Sequence, residues 1–240
     1  MILAIMQPYF FPYIGYWQLI HAVDRFVIYD DVNYIKGGWI NRNRILINGE
    51  PSYITMPLYQ SSSYKHICDT ALQPSSAWRT KLLKMVEITY RAAPCFDGVF
   101  PVIEKIISHD TDNLSDFLVH QLQVLSAFMS INTEFVVTSR HYQNNELSGQ
   151  ERILDICKRE AATTYINPKG GQNLYDEKIF HDSGIDLRFI VMRPLIYRQR
   201  AAGFIPCLSI IDALMEIGPV EIMHHLDSFE LPPRKSTHAH

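Results

Sequence analysis

Charge of one sign is scarce in this chain. Its 22 Lys and Arg stand against 25 Asp and Glu, a formal net charge of −3. Nonspecific nucleic-acid binding needs a basic stripe, so nucleic acid is not an expected partner. Long apolar runs are missing as well. No uninterrupted stretch approaches the roughly 18 residues that a spanning helix requires, and stable membrane insertion is not expected. Cysteine is sparse: the four, at positions 68, 95, 157 and 207, show no metal-ligand spacing. They read as reduced core thiols of a cytoplasmic protein, with no metal site. A strand pattern already begins at residue 2, which leaves no room for a signal peptide. The sequence also has no G-x-S-x-G, H-E-x-x-H, Walker loop, C-x-x-C or G-x-G-x-x-G. The usual signatures of serine hydrolases, zinc proteases, P-loop enzymes, dithiol redox proteins and dinucleotide binders are therefore absent.

Aromatics, by contrast, are plentiful: 13 Tyr and 12 Phe in 240 residues. That length supports a sizeable core, and the aromatics suit a ring-lined pocket. The first 48 residues organise the rest. Leu3 and Ile5 belong to a short buried strand that stops at Gln7-Pro8, because proline cannot donate in a central ladder. Pro8 and Pro12 fix an aromatic loop, and Gly15 allows close backbone approach. Tyr16, Leu19, Ile20 and Val23 then recur at helical spacing, and Phe26–Ile28 form a second strand ending in Asp30-Asp31. Strand, helix and strand within about thirty residues make a βαβ unit with parallel strands. Ligands of such sheets bind beyond the carboxyl ends of the strands. Gln7-Pro8-Tyr9 and Tyr29-Asp30-Asp31 are placed there by the pattern, facing one crevice. Lys36, Trp39, Asn41, Arg42 and Arg44 follow, and alternation puts both arginines on one face, where guanidinium forks suit phosphate or carboxylate.

Residues 51–73 read as β-rich, with strands at Tyr53–Leu58 and Ile67–Leu72 joined by a polar connection. From Ser76 the period becomes helical through Tyr90, then over 99–108 and 114–128, the last capped by Asp112 or Asn113. Strand, helix, strand, helix, strand returns over 134–192, with Gly184 closing the second helix. The sequence thus divides into a first α/β half at 1–75, a helical segment at 76–130, a second α/β half at 131–230, and a flexible tail at 231–240. The fold class is α/β with a parallel sheet. Two further strand ends point to the same edge. One carries His141, which titrates near neutrality and suits general acid–base work. The other carries Asn167-Pro168-Lys169-Gly170-Gly171, whose Lys-Gly-Gly loop offers a cation and backbone N–H donors to an anion. Gln199 belongs to a polar stretch able to close a pocket. Asp212, on an amphipathic helix, is either an exposed residue or a buried partner for an arginine. The adjacent His224 and His225 point about 100° apart and read as packing or surface residues.

The stretch QPYFFPYIGYWQLIHAVDRFVIYDDVNYIKGGWINRNRI resembles the opening of the WbqC-like protein family. Members of that family occur in bacterial loci for O-antigen and other surface polysaccharides. Trp78, Tyr90, Thr164–Ile166, Gly170-Gly171 and Phe204–Met215 extend the resemblance to about Gly218. Tyr13-Ile14-Gly15-Tyr16 stands where nucleotidylyl-transfer folds carry His-x-Gly-His, with both histidines replaced by tyrosine. Pantothenate synthetase, which forms an amide through an acyl-adenylate, belongs to that group. These resemblances imply a Rossmann-like, nucleotidylyl-transferase-like core with a helical insertion.

The expected activity is transfer of a small acyl or aminoacyl group to the amino group of a nucleotide-linked sugar. Asp30, Asp31 or His141 would take the proton. Gln7, Tyr9, Tyr13, Gly15, Tyr16, Lys36, Trp39, Asn41, Arg42, Arg44, Lys169, Gly170, Gly171 and Gln199 would bind substrate. The donor is a coenzyme A thioester or an ATP-derived acyl group. An ATP-dependent ligase and a non-catalytic sugar-binding partner of an assembly complex are the alternatives. The aromatic surface also permits a homodimer.

Overall fold

A computed structural model describes residues 1–232, so all but the start of the tail expected over 231–240 lies outside the described residues. The chain opens as the pattern predicts. β1 (Ile2–Met6) leads through a Pro-bounded loop to α1 (Ile14–His21) and back to β2 (Arg25–Ile28), with Ala4 opposite Phe26 and Ile5 opposite Val27 in parallel register. A hairpin follows, β3 (Arg42–Ile47) and β4 (Glu50–Thr55). Its two-residue turn is Asn48-Gly49, both with positive φ, the backbone that this dipeptide favours. β5 (Leu58–Tyr59) and β6 (Ala71–Leu72) pair antiparallel. The helices α2 (Ala77–Tyr90), α3 (Phe96–Ile107) and α4 (Leu114–Phe128) come next, the last capped by the Asn113 side chain. Then come β7 (Glu134–Val136), α5 (Gly149–Arg159), β8 (Thr164–Pro168), α6 (Glu177–Asp182) and β9 (Asp186–Met192). α7 (Ile210–His225) and β10 (Phe229–Glu230) complete the described elements.

The central sheet has the order β10-β9-β8-β1-β2-β7. Four of its five pairings are parallel, and β10 alone joins antiparallel, on β9. The chain therefore walks outward from β1 through β2 to β7, returns to the far side of β1, and walks outward again through β8 to β9. Right-handed crossovers require the helices of the two walks to lie on opposite faces, and the two apolar clusters obey this. Ala4, Phe26 and Ile28 face α1, α4 and α7, while Leu3, Ile5, Val27, Tyr165 and Leu187 face α5 and α6. Both faces of β1 are covered, which explains its unbroken apolar sequence. The helices α2 and α3 contribute Val86, Tyr90, Val99 and Ile103 to the first of these clusters.

Two local expectations differ from the structure. The strand expected at Tyr53–Leu58 is interrupted: β4 ends at Thr55 and β5 begins at Leu58, because Pro57 has no N–H for the ladder. Ile67–Leu72 is only half extended. Ile67–Asp69 is a 3-10 turn, held by Thr70 Oγ1 donating to the His66 carbonyl and Asn113 Nδ2 donating to that of Cys68. α7 runs through Gly218 to His225 with a kink at that glycine, whose φ is 78°.

Candidate functional site

Between β1 and β8 the direction of the two walks reverses. Loops leaving these strands separate, and an open sheet acquires a crevice at such a point. Here the crevice is a cavity of about 500 Å³ lined by Gln7, Tyr9, Tyr29, Asn167, Gly170, Gly171 and Tyr175 among others. Asn167 is the polar centre of its β8 wall. Its Nδ2 donates to Tyr165 Oη at 2.8 Å and to Tyr175 Oη at 3.4 Å, and the two phenols are 3.2 Å apart. Burial raises both phenol pKa values above the ordinary tyrosine range. A Cβ at Gly171 would collide with Asn167 Oδ1, so the second glycine is needed for close packing rather than for its φ.

A second cavity of about 510 Å³ lies on the opposite face of the sheet. Tyr13 and Gly15 at the start of α1, Met192 at the end of β9, and Leu195, Tyr197, Phe204 and Pro206 from the loop before α7 line it. Its walls are mostly apolar. Pro168 and Gly170 belong to both cavities, so the end of β8 is a thin partition between them. Gly15 meets the second cavity closely, since a Cβ there would stand 2.5 Å from Tyr13 Cε2 and 2.7 Å from Met192 Sδ. Gln199 folds the covering loop: its Nε2 donates to the Ile205 carbonyl at 3.0 Å and its Oε1 accepts from the Ile205 N–H at 2.7 Å. Behind this cavity Tyr197 Oη and Tyr90 Oη donate to the two oxygens of buried Asp212, at 2.6 and 2.7 Å. Burial lifts the Asp212 carboxyl above the aspartate range, and the two phenol hydrogen bonds draw it partly back. Of the two readings of Asp212 the buried one holds, with tyrosines rather than an arginine as its hydrogen-bond partners.

The expected site residues fall into four places. Gln7, Tyr9, Gly170 and Gly171 share the first cavity, and Tyr13, Gly15, Lys169, Gly170 and Gln199 share the second. Lys36, Trp39, Asn41, Arg42 and Arg44 lie on and before the β3–β4 hairpin and line neither cavity. There Asn41 is buried, accepting from Tyr34 Oη and donating to the Met56 carbonyl. Tyr16 is buried too, and its Oη donates to the Gln7 carbonyl at 2.8 Å. Tyr13 Oη is 3.3 Å from Met192 Sδ. Neither tyrosine of the Tyr-x-Gly-Tyr sequence thus offers a free hydroxyl to a phosphate.

The acidic pair forms the fourth place, and it faces inward. Asp30 accepts from Ser115 Oγ at 2.6 Å, Thr138 Oγ1 at 2.9 Å and the Ser139 N–H at 3.1 Å. Asp31 pairs with Arg152 at 2.5 Å and accepts from Ser139 Oγ. Both are 2% exposed. These contacts tie β2 to α4, α5 and the turn after β7, and they leave neither carboxylate open to a substrate proton. His141 is exposed on that turn, its ring edge-on to Tyr142, and it lines neither cavity.

Sequence reasoning placed Tyr29 and Asn167 at the strand ends facing this edge but gave them no substrate role, and it missed Tyr175 as a crevice residue. One grouping with metal-ligating chemistry stands apart among the described residues: His66, Cys68 and Asp69 offer ligand atoms within 4.8 Å of one another. Asp69 is already held by Arg140, however, and burial, reinforced by the Asp30 and Asp69 charges, pushes the Cys68 thiol up to about 11.

Fold and site together define an α/β protein with a candidate ligand crevice at the reversal of its strand order. The chain belongs to the WbqC-like protein family, which matches residues 7–224. It is similar to an uncharacterized protein of Mycobacterium tuberculosis (strain ATCC 25618 / H37Rv), Rv1507c, at 29% identity over 217 residues, covering 90% of this chain and 93% of the relative. No solved structure matches the chain. Among the described residues no helix is long and apolar enough to cross a membrane.

Proposed function

We propose that this chain transfers a small acyl or aminoacyl group to the amino group of a nucleotide-linked sugar, in the assembly of a bacterial surface polysaccharide such as O-antigen. The observation that carries the reading is the pair of cavities meeting at Pro168 and Gly170. A group transfer needs two substrates held with their reacting atoms about 3 Å apart, so the acceptor amine and the donor carbonyl have to meet past the edge at Pro168 and Gly170 that both cavities share. The tyrosine-lined crevice, with the amides of Gln7 and Asn167 in its wall, fits a sugar and its nucleotide through ring stacking and hydrogen bonds, and the second cavity, apolar in most of its lining, fits the acyl arm of a donor. The parallel strands run third, second, first, fourth, fifth in chain order across the sheet, which supports the Rossmann-like reading of the core.

In this reaction the amine nitrogen attacks the donor's carbonyl carbon. A C–N bond forms, the bond from the carbonyl carbon to its thiolate or phosphate leaving group breaks, and the amine proton passes to water at the crevice mouth. Backbone N–H groups of Gly170 and Gly171 serve the developing oxyanion, and Lys169 balances phosphate charge. Of the three groups expected to take the proton, His141 is the exposed one and the side chain to test first.

Thermal unfolding with a panel of UDP- and dTDP-amino sugars, acyl-coenzyme A and ATP, followed by mass analysis of products, tests the proposal. A nucleotide sugar at a hundred times its Kd stabilises the folded state by about 2.7 kcal/mol, a rise of roughly 5–11 °C for a chain of this size. Binding with an N-acylated product supports transfer. AMP release that depends on magnesium would replace it with the ligase reaction, and sugar binding without turnover would replace it with the assembly-partner role. No shift with any compound would refute it.

A further inference from the structure

We propose that the β3–β4 hairpin and the turn before it form a separate binding platform for the nucleoside phosphate end of the activated donor. This rests on the group-transfer reading above and assigns to it the part of the surface that neither cavity uses. Between Asp31 and Asp69 the chain has one carboxylate, Glu50, against Lys36, Arg42, Arg44 and Lys65, although the whole chain is net negative. The same segment holds Trp39, Tyr53, Tyr59 and Tyr64, four of the five large exposed aromatics among the described residues. Cations and exposed rings are therefore concentrated together.

Their geometry suits a flat ring carrying phosphate. The Trp39 and Tyr53 rings stack at 6.4 Å and 29°. The Arg42 guanidinium lies 4.5 Å from the Tyr53 ring centre, and that of Arg44 lies 5.8 Å from the Trp39 ring centre. Arg42 is further fixed by donating to the carbonyls of Gly37 and Gly38. Arg25, Arg91, Arg140 and Arg152 each hold a carboxylate. Among the described residues no carboxylate lies within ion-pair distance of Lys36, Arg42 or Arg44, and Arg44 Nε is buried without a hydrogen-bond partner. Guanidinium forks held by stacking, with no internal anion, are poised for phosphate oxygens, and the rings offer a stacking face for a nucleobase.

The platform also adjoins the apolar cavity. The Arg44 carbonyl accepts from the Ser209 N–H at 2.8 Å, and the neighbours of Ser209, Leu208 and Ile210, line that cavity. A donor with its nucleotide on the hairpin thus directs its acyl arm inward. Coenzyme A and ATP share the adenine nucleotide that this chemistry recognises.

Calorimetric titration of the full-length chain with coenzyme A, adenosine 3′,5′-bisphosphate, ATP and adenosine, in wild type and in Lys36→Gln and Arg44→Gln, tests the assignment. Lys36 is exposed, so its substitution leaves the fold intact. Binding of an adenine nucleotide that weakens at least tenfold in Arg44→Gln, weakens in Lys36→Gln, and falls with salt is expected. Tighter coenzyme A than ATP identifies a thioester donor, and the reverse an adenylate. Binding unchanged in both variants overturns the platform, as does capture of phosphatidylglycerol vesicles with no nucleotide bound. Nucleotide-sugar binding is titrated in parallel. Its loss with variant-sensitive adenine-nucleotide binding retained would sink the proposed reaction and leave the platform standing. Its retention with variant-insensitive nucleotide binding would do the opposite.

Discussion

Replacing Arg152 by Met separates a structural acidic pair from a catalytic one. Arg152 lies on α5 and is 4% exposed. Its guanidinium donates to Asp31 Oδ2 at 2.5 Å, to Asn144 Oδ1 at 2.9 Å and to Asn145 Oδ1 at 2.8 Å, and lies 5.1 Å from the centre of the Tyr29 ring. The substitution keeps most of the volume and removes the cation. Asp31 is then a buried carboxylate with only Ser139 Oγ to answer its charge. Breaking a buried pair from one side costs about 3–5 kcal/mol, a loss of roughly 6–20 °C in Tm for a chain of this length. Asp31→Asn in the same background removes the stranded charge, so the double variant is expected to regain a large part of the loss. Urea unfolding of the four proteins gives the coupling directly. A single variant within about 1 kcal/mol of wild type would refute the ion-pair argument. So would a stable Asp31→Asn protein that binds substrate but no longer turns it over, because Asp31 would then be the base. The Tyr29 wall of the crevice should loosen with Arg152→Met, which weaker substrate binding by the surviving folded fraction would register.

Gln18→Leu should cost about 1–3 kcal/mol, because Gln18 Nε2 serves the buried carbonyls of Arg193, His225 and Ser228; faster amide exchange at β10 than in β1 is the reading to seek. Asp212 has its folded pKa raised by burial, so its protonated form stabilises the fold fully below the ordinary aspartate value of about 3.9 and that contribution is lost as pH rises through the folded pKa. The stability of wild type relative to Asp212→Asn should therefore fall as pH rises above about 4, and urea midpoints that stay parallel as pH rises would contradict this. Burial pushes the thiols of Cys68 and Cys157 up to about 11 and about 12, so in the native protein at pH 8 iodoacetamide should modify exposed Cys207 well before either; mass mapping of the labelled peptides decides it.

The parts of this fold that were legible in the sequence are those determined by neighbours in the chain. The β1–α1–β2 unit, the Asn113 cap and the Gly184 stop each follow from residues within a turn or two, and all three appear in the structure. The family resemblance also held, since its residues are a contiguous string. What failed was the assignment of partners across the chain. Asp30 and Asp31 look like open strand-end carboxylates until Ser115, Ser139 and Arg152 arrive from more than eighty residues away. Asp212 meets tyrosines from α2 and from the loop before α7, and no local period encodes that. β10 has two residues and antiparallel pairing, too little for any pattern.

This division explains why the crevice was located better than its chemistry was assigned. Strand ends and their order follow from alternation and crossover handedness, so Gln7, Gly170 and Gly171 were correctly brought to one edge. Whether a polar side chain at that edge faces a substrate or a buried partner depends on which helix covers it. On the covered side of β2, where α4 and α5 close over the strand end, carboxylates become ties. At the reversal between β1 and β8 the diverging loops leave the end open, and Asn167, Tyr29 and Tyr175 line a cavity there. The two strand ends carry polar residues of similar character, and only one is a candidate site, because the sheet order uncovers only one.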